Sequence, residues 1–324
     1  MSANLARTTD GWWVVTPAGL VRLDLAARAA TTAGLLADRP ALTAAIEAAQ
    51  AAAAAAPAEA VPAESLELLS PVTAPARVVA QAVNYRSHAI DSGFDPGAVP
   101  PAFFRKASHS ITGPVGDIIR PDGVGFLDNE VERGLVIGAA LPVGTTVTEA
   151  DLARYAAALV VANDVSARQI QLVKTQFYES KSYPTFTPVG PWLTLVDATD
   201  LARLGSLRLI LSVNGQVRQD STAADMIVRP AQALTLLSRF QPMAPGDLLL
   251  TGTPGGTALK APGKIAGMAA GLLPPATRWK LFFGRQAANP RYLRDGDVIT
   301  ATIASPDWHL DLGTQRNTII GKTP

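Results

Sequence analysis

Glu130, Glu132 and Asp164 are the residues of this chain whose types and spacing most directly suggest chemistry. In an extended strand alternate side chains leave on one face, so Glu130 and Glu132 point together while Val131 points back into the core. Two carboxylates so close repel, raise one pKa and weaken the strand; a divalent ion with oxygen ligands relieves that repulsion. A solvated strand edge relieves it as well. The following residues, Gly134 to Gly138, read as a buried strand, which sets the pair beside a core. Asp164 closes a second β-branched run, Leu159 to Asn163, where sheet gives way to loop. Taken singly it reads first as the cap of a helix opening over Val165 to Arg168.

The chain has three histidines, His88, His109 and His309. His88 precedes Asp91 by one helical turn, so the acid can meet the imidazole and raise its basicity, which is a general-base arrangement; a surface pair is the alternative. His109 and His309 read as structural. Lys181 stands before a loop stiffened by Pro184, Pro188 and Pro191, which suits an anion clamp. Thr251-Gly252-Thr253-Pro254-Gly255-Gly256 offers backbone N–H groups and hydroxyls at a strand end, a cradle for a carboxylate. The spacings of a P-loop and of a dinucleotide fingerprint are absent.

These side chains need a framework, and 324 residues with 48% hydrophobic content can bury one large core or a large and a small one. A formal charge of +1 without a basic block gives no footprint for nucleic acid. No segment approaches the roughly twenty apolar residues that span a bilayer. The absence of cysteine excludes disulfides, thiolate nucleophiles and Cys-ligated metals. Residues 1–7 lack the apolar stretch of a secretion signal, so a cytoplasmic location is the expectation.

Gly11 to Asp24 reads as a hairpin, followed by an alanine-rich helix from Thr43 to Ala56 that Pro57 stops. Residues 1–75 are expected to form a small N-terminal α/β domain and linker, and 76–324 a strand-rich domain. Asn214-Gly215 marks a hairpin between Leu207–Val213 and Gln216–Gln219. Thr148 with Asp151 predicts a capping box opening a helix from Glu149 to Ala158, and Arg229-Pro230 opens another running to about Phe240. Pro245-Gly246-Asp247 and Asp295-Gly296-Asp297 are turns feeding strands. Residues 263–291, with Trp279 to Phe283, read as an amphipathic insertion.

Asn84-Tyr85-x-x-His88, Glu130-x-Glu132, Asn163 to Arg168 with Gln171, Lys181, Gly190-Pro191-Trp192, Asn214-Gly215 and Pro245 to Pro254 occur in one order along the chain. As a linked set, from about Ala76 to Gly256 and again near Asp295, they resemble the fumarylacetoacetate hydrolase family. The resemblance implies an α+β fold with a mixed β-roll catalytic domain, and a homodimer. It implies Mg²⁺ or Mn²⁺, with Ca²⁺ in some members, held by Glu130, Glu132 and Asp164. His88 with Asp91 would form the water-activating dyad, and Tyr85, Arg168, Gln171, Lys181, Gly252 and Thr253 would line the pocket for a small 2-oxo or 2,4-dioxo acid. The chain departs from the family's pattern in Asp91 where glutamate is usual, in Arg133, in Gln169 and in the 263–291 insertion.

The expected activity is metal-dependent hydrolysis of a C–C bond in an acylpyruvate-like or fumarylacetoacetate-like acid. His88 and Asp91 would activate water, and Lys181 would help stabilise the expelled enolate. The same site serves a 2-oxo acid decarboxylase or a keto–enol tautomerase or isomerase, and a catalytically silent binding protein is the alternative from another class.

Overall fold

The computed structural model describes residues 2–261 and 274–321. The chain starts with β1 (Ala3–Thr8), β2 (Gly11–Thr16) and β3 (Gly19–Arg22). β2 and β3 form the expected hairpin, paired from Trp13↔Arg22 to Thr16↔Gly19, and β1 adds to it. Helices α1 (Thr32–Leu36) and α2 (Arg39–Ala55) follow. α2 begins before the expected Thr43 because Asp38 accepts from Ala41 N at 3.1 Å and Pro40 occupies the first turn, where its missing N–H costs nothing. Residues 57–75 are tied down: Leu20 and Val61 exchange backbone hydrogen bonds, and Leu69 N donates to Arg7 O at 2.7 Å.

Next come β4 (Val78–Ala82), α3 (Arg86–Asp91), β5 (Ala102–Lys106), β6 (Ile111–Thr112), β7 (Asp117–Arg120), β8 (Leu127–Asp128) and β9 (Val131–Ile137). The helix expected from Glu149 to Ala158 is corrected. Thr148 and Asp151 do bond reciprocally, but they precede only the single turn α4 (Leu152–Tyr155), and β10 (Ala156–Asn163) begins at once. β10 is hydrogen-bonded to strands on both sides, and that pairing outweighs the helix propensity of its alanines.

The rest comprises β11 (Ser166–Ala167), α5 (Arg168–Lys174), β12 (Thr187–Pro188), β13 (Leu193–Leu195), α6 (Ala198–Ala202), β14 (Arg208–Val213), β15 (Gln216–Thr222), α7 (Pro230–Ser238), β16 (Leu248–Leu250), α8 (Pro275–Ala287), β17 (Val298–Ala304) and β18 (Asp311–Gly321). Asn214 and Gly215 turn β14 into β15 with φ of +51° and +77°, as the hairpin signal requires. Of the expected insertion, residues 263–273 lie outside the described residues; the remainder carries α8.

A nine-stranded sheet runs β3-β2-β1-β13-β10-β9-β16-β4-β5, and a five-stranded sheet runs β15-β14-β17-β18-β7. They pack face to face through Leu135, Leu159 and Val161 of the first and Leu209, Leu211, Ile299 and Ile303 of the second. The other face of the large sheet buries Val136, Val160 and Leu248 against Leu35, Leu42 and Ile46 of α1 and α2. The molecule is thus a strand-rich α+β fold in which β9 and β10 are central and buried along their whole length. The sheet runs unbroken across the boundary expected at residue 75, since β1 pairs with β13 through Ala3↔Leu195 to Leu5↔Leu193.

Candidate metal centre

Strand parity brings the acids together. Val131 and Leu135 of β9 face the five-stranded sheet, so Glu132 projects to the opposite face with Val136. Glu132 pairs with Ala162 in the register of β10, which brings Asp164 level with Glu130 just beyond the paired ends. Two hydrogen bonds fix that end: Glu130 N donates to Asn163 Oδ1 at 2.9 Å, and Asp164 N donates to Glu130 O at 2.8 Å. Ligand oxygens of Glu130, Glu132 and Asp164 all lie within 4.8 Å of one another, and all three residues are buried. Asp164 does not cap a helix, a correction to its reading as an isolated residue. α5 opens at Arg168 with Ala167 at its uncapped start, because the Asp164 carboxylate is taken by Lys106 and Lys181.

Three buried cations surround the trio. Lys181 Nζ donates to Glu130 Oε2 and Asp164 Oδ2, each at 2.5 Å, and rests 5.1 Å from the centre of the Phe104 ring. Arg168 bonds Glu130 through Nη2, Asp128 Oδ2 through Nε at 2.9 Å and Gln171 Oε1 through Nη1 at 2.9 Å. Lys106 bonds Asp164 and the Phe186 carbonyl, the latter at 2.8 Å. Against Lys106, Arg168 and Lys181 stand four buried carboxyl groups, Asp128, Glu130, Glu132 and Asp164, so Glu132 is the one acid of the group that no cation among the described residues bonds directly.

The ionisation of these groups follows. Burial opposes the charge of Glu130, but Arg168, Lys181 and His88 outweigh it and hold the carboxyl below its usual range. Burial, Asp164 and Glu130 together push Glu132 well above that range; Gly252 N, donating to Glu132 Oε2 at 2.7 Å, only moderates the shift. Burial disfavours charged Lys181, yet Asp164 and Glu130 keep it above its ordinary value. A hard dication suits this set: the donors are all carboxyl oxygens, they converge, and their mutual repulsion, which raises Glu132, is what a dication would relieve. Glu130, Glu132 and Asp164 are the residues that would hold it.

The other expected site residues divide. Gln171 supports Arg168. Gly252 holds Glu132 from a backbone at φ +88°, where a Cβ would come within 2.6 Å of Asn84 Cβ. Thr253 Oγ1 donates to Val131 O at 2.9 Å and accepts from Gln219 Nε2 at 2.8 Å. His88 is buried, and that burial lowers its pKa although Glu130 pulls the other way. Its Nδ1 is sealed without a hydrogen bond. Asp91 does not bond His88; its oxygens take Gly256 N and Lys260 Nζ, each at 3.0 Å. Tyr85 sits in the core between the sheets, its hydroxyl unpartnered, beside Arg133. Arg133 points to the face of β9 opposite the acids, donating to Leu204 O at 3.2 Å.

Sequence reasoning missed Lys106, Asp128 and Gln219. Asp128 had a signal, since Asp128-x-Glu130-x-Glu132 continues the two-residue period, and Lys106 ends a strand in which Phe104 and Lys106 share a face. Gln219 had none. It receives Val131 N at 3.0 Å and donates to Pro254 O at 2.9 Å, a link between segments distant in sequence.

The fold and site together present three converging carboxyl groups that could hold a dication, ringed by buried basic side chains and an imidazole, at the end of two central strands. The chain belongs to the fumarylacetoacetate hydrolase family, whose model, described as fumarylacetoacetate (FAA) hydrolase C-terminal, matches residues 77–320. It is 35% identical over 198 residues to a mitochondrial oxaloacetate tautomerase of Bos taurus, covering 60% of this chain and 61% of that one. It is 37% identical to a 2,4-didehydro-3-deoxy-L-rhamnonate hydrolase of a Sphingomonas species, over 57% of this chain and 64% of the relative. These matches thus span less than two thirds of either relative. A crystal structure of a probable 2-hydroxyhepta-2,4-diene-1,7-dioate isomerase from Mycobacterium abscessus superposes with a TM-score of 0.74 at 28% identity, covering 100% of both chains. No described helix is long and apolar enough to cross a membrane.

Proposed function

We propose that this chain is a divalent-metal-dependent keto–enol tautomerase of 2-oxo acids. The observation that carries the reading is the convergence of Glu130, Glu132 and Asp164 beside Arg168, Lys181 and a neutral His88. A bound Mg²⁺ or Mn²⁺ supplies Lewis-acid stabilisation of the negative charge that develops on an enol oxygen. Arg168 has five N–H donors and uses three on Asp128, Glu130 and Gln171, which leaves two for a substrate carboxylate. Nε2 of His88 bonds no described residue and is the nitrogen that takes a proton from the carbon beside the ketone. Lys181 Nζ, with a third N–H unused, gives a proton to the oxygen. A base whose pKa burial lowers suits proton abstraction near neutral pH. The similarity to an oxaloacetate tautomerase supports the same choice.

Hydrolysis of a 2,4-dioxo acid is the second reading, favoured by the similarity to a sugar-acid hydrolase and by Asp91 lying one turn from His88 on α3. It requires Asp91 to exchange Gly256 N and Lys260 for the imidazole. Decarboxylation passes through the same enol. The test incubates purified protein with Mg²⁺ or Mn²⁺ and either oxaloacetate or short 2,4-dioxo acids, following enol absorbance and identifying products by NMR. The proposal expects metal-dependent loss of enol signal without chain cleavage or CO₂. Cleaved acids would establish the hydrolytic reading, and no turnover with any acid would leave a binding protein.

A further inference from the structure

Positive charge collects around the turn at Gly255 and Gly256. Gly256 N bonds Asp91, and Gly256 O accepts from Arg291 Nη2. A Cβ on Gly256 would come within 2.1 Å of the Arg218 carbonyl oxygen, so the Arg218 backbone is pressed against the same turn. Lys260 reaches it through Asp91, at 3.0 Å. Arg291 is close enough to Arg218 to feel its charge, after burial the strongest influence on its ionisation. The Nε atoms of Arg218 and Arg291 are both buried without an acceptor, and the Arg218 side chain bonds no other described residue.

The nearby acids do not balance this cluster. Asp91 is shared between Gly256 N and Lys260, Asp128 is bound to Arg168, and Asp225 is turned to Ser87, accepting from its N at 3.0 Å and its Oγ at 2.6 Å. Partly shielded like charges with unpaired donors cost free energy that an anion would recover. The cluster lies close to the metal centre. Thr253, bonded to Val131 O between the two glutamates, is three residues from Gly256, and three residues reach at most about 10 Å.

The geometry points to a second anion subsite formed by Arg218, Lys260 and Arg291, which takes the distal carboxylate of a dianionic 2-oxo acid whose other end lies at Glu130, Glu132, Asp164 and Arg168. The inference rests on the 2-oxo acid reading of the metal centre. It makes this chain selective for dicarboxylic over monocarboxylic 2-oxo acids of equal length, and makes that selectivity sensitive to salt.

Calorimetric binding to the whole chain with Mg²⁺ tests it, using the pairs 2-oxobutyrate with oxaloacetate and 2-oxohexanoate with 2-oxoadipate. In at least one pair the diacid is expected to bind about tenfold tighter or more, the scale of one charge-assisted pairing. The ratio is expected to fall toward one in the Arg218→Gln/Arg291→Gln double variant and to shrink in Lys260→Met, whose side chain is 52% exposed and whose folding is the less affected. Equal affinities within both pairs, or a diacid preference that survives both variants, would overturn the subsite while leaving the metal centre standing. Failure of every acid to bind would overturn the 2-oxo acid reading and this inference with it.

Discussion

Four carboxylates buried with three cations form a network in which each side chain depends on a partner. Asp164→Ala strands Lys106, whose side chain is 0% exposed, without its counter-charge. That change is expected to cost about 3–5 kcal/mol, the range for breaking a buried pair, read as a lower denaturation midpoint in urea. His88 gives a second expectation. Burial lowers its pKa from 6.5, so the imidazole proposed as the base stays neutral below that pH in the folded chain. The rate is expected to fall in acid with an inflection below 6.5, and His88→Ala to remove that limb of the pH profile; an unchanged profile would exclude His88 as the base. Stability follows the same sign: as pH drops through 6.5 the unfolded chain binds the proton first, and stability declines. Glu130 and Glu132 were legible because strand period alone puts them on one face, whereas Asp164 read singly as a cap and joined them only through the linked motifs. Gln219 was not, because a lone glutamine carries no local sign of a partner remote in sequence, and the shared face of Phe104 and Lys106 tells that Lys106 is buried but not which acid it meets.

At the scale of elements, the site is the hydrogen-bonded end of one antiparallel pair, β9 and β10, closed by the segment after β16. Gly252 is the joint: its positive φ aims the N–H at Glu132, and a side chain there meets Asn84. Gly252→Ala is expected to destabilise the fold by about 1–3 kcal/mol through strain and also to weaken divalent-ion affinity, measured by thermal unfolding and by titration. Turns were the most readable elements, since Asn214-Gly215, Pro245-Gly246-Asp247 and Asp295-Gly296-Asp297 each require particular backbone angles that few residues accept. The start of β10 was not readable. Ala156 to Ala158 favour helix locally, and only the ladders to β9 and β13 decide otherwise.

For the whole molecule, the large sheet takes strands from both ends of the expected two-domain division. Residues from β1, α1 and α2 share a hydrophobic core with β9, β10 and β16. Deleting residues 1–75 would uncover the edge of β13 and the apolar face above it, and the truncated chain is expected to aggregate or fail to fold, as seen by solubility and circular dichroism. A soluble, cooperatively folding fragment would contradict that view. The linked motifs carried the architecture because each one marks a strand end or turn of the same framework. The way the N-terminal strands join the sheet depends on pairing between residues nearly two hundred positions apart, which no local pattern displays.

The central claim is that Glu130, Glu132 and Asp164 together hold one divalent cation. Calorimetric titration of Mn²⁺ into chelator-treated protein tests it most directly. One site per chain is predicted, with affinity rising with pH as the raised Glu132 carboxyl gives up its proton, and lost in Glu130→Ala, Glu132→Ala and Asp164→Ala. Absence of binding by the unaltered chain, or undiminished affinity in those three variants, would contradict the account.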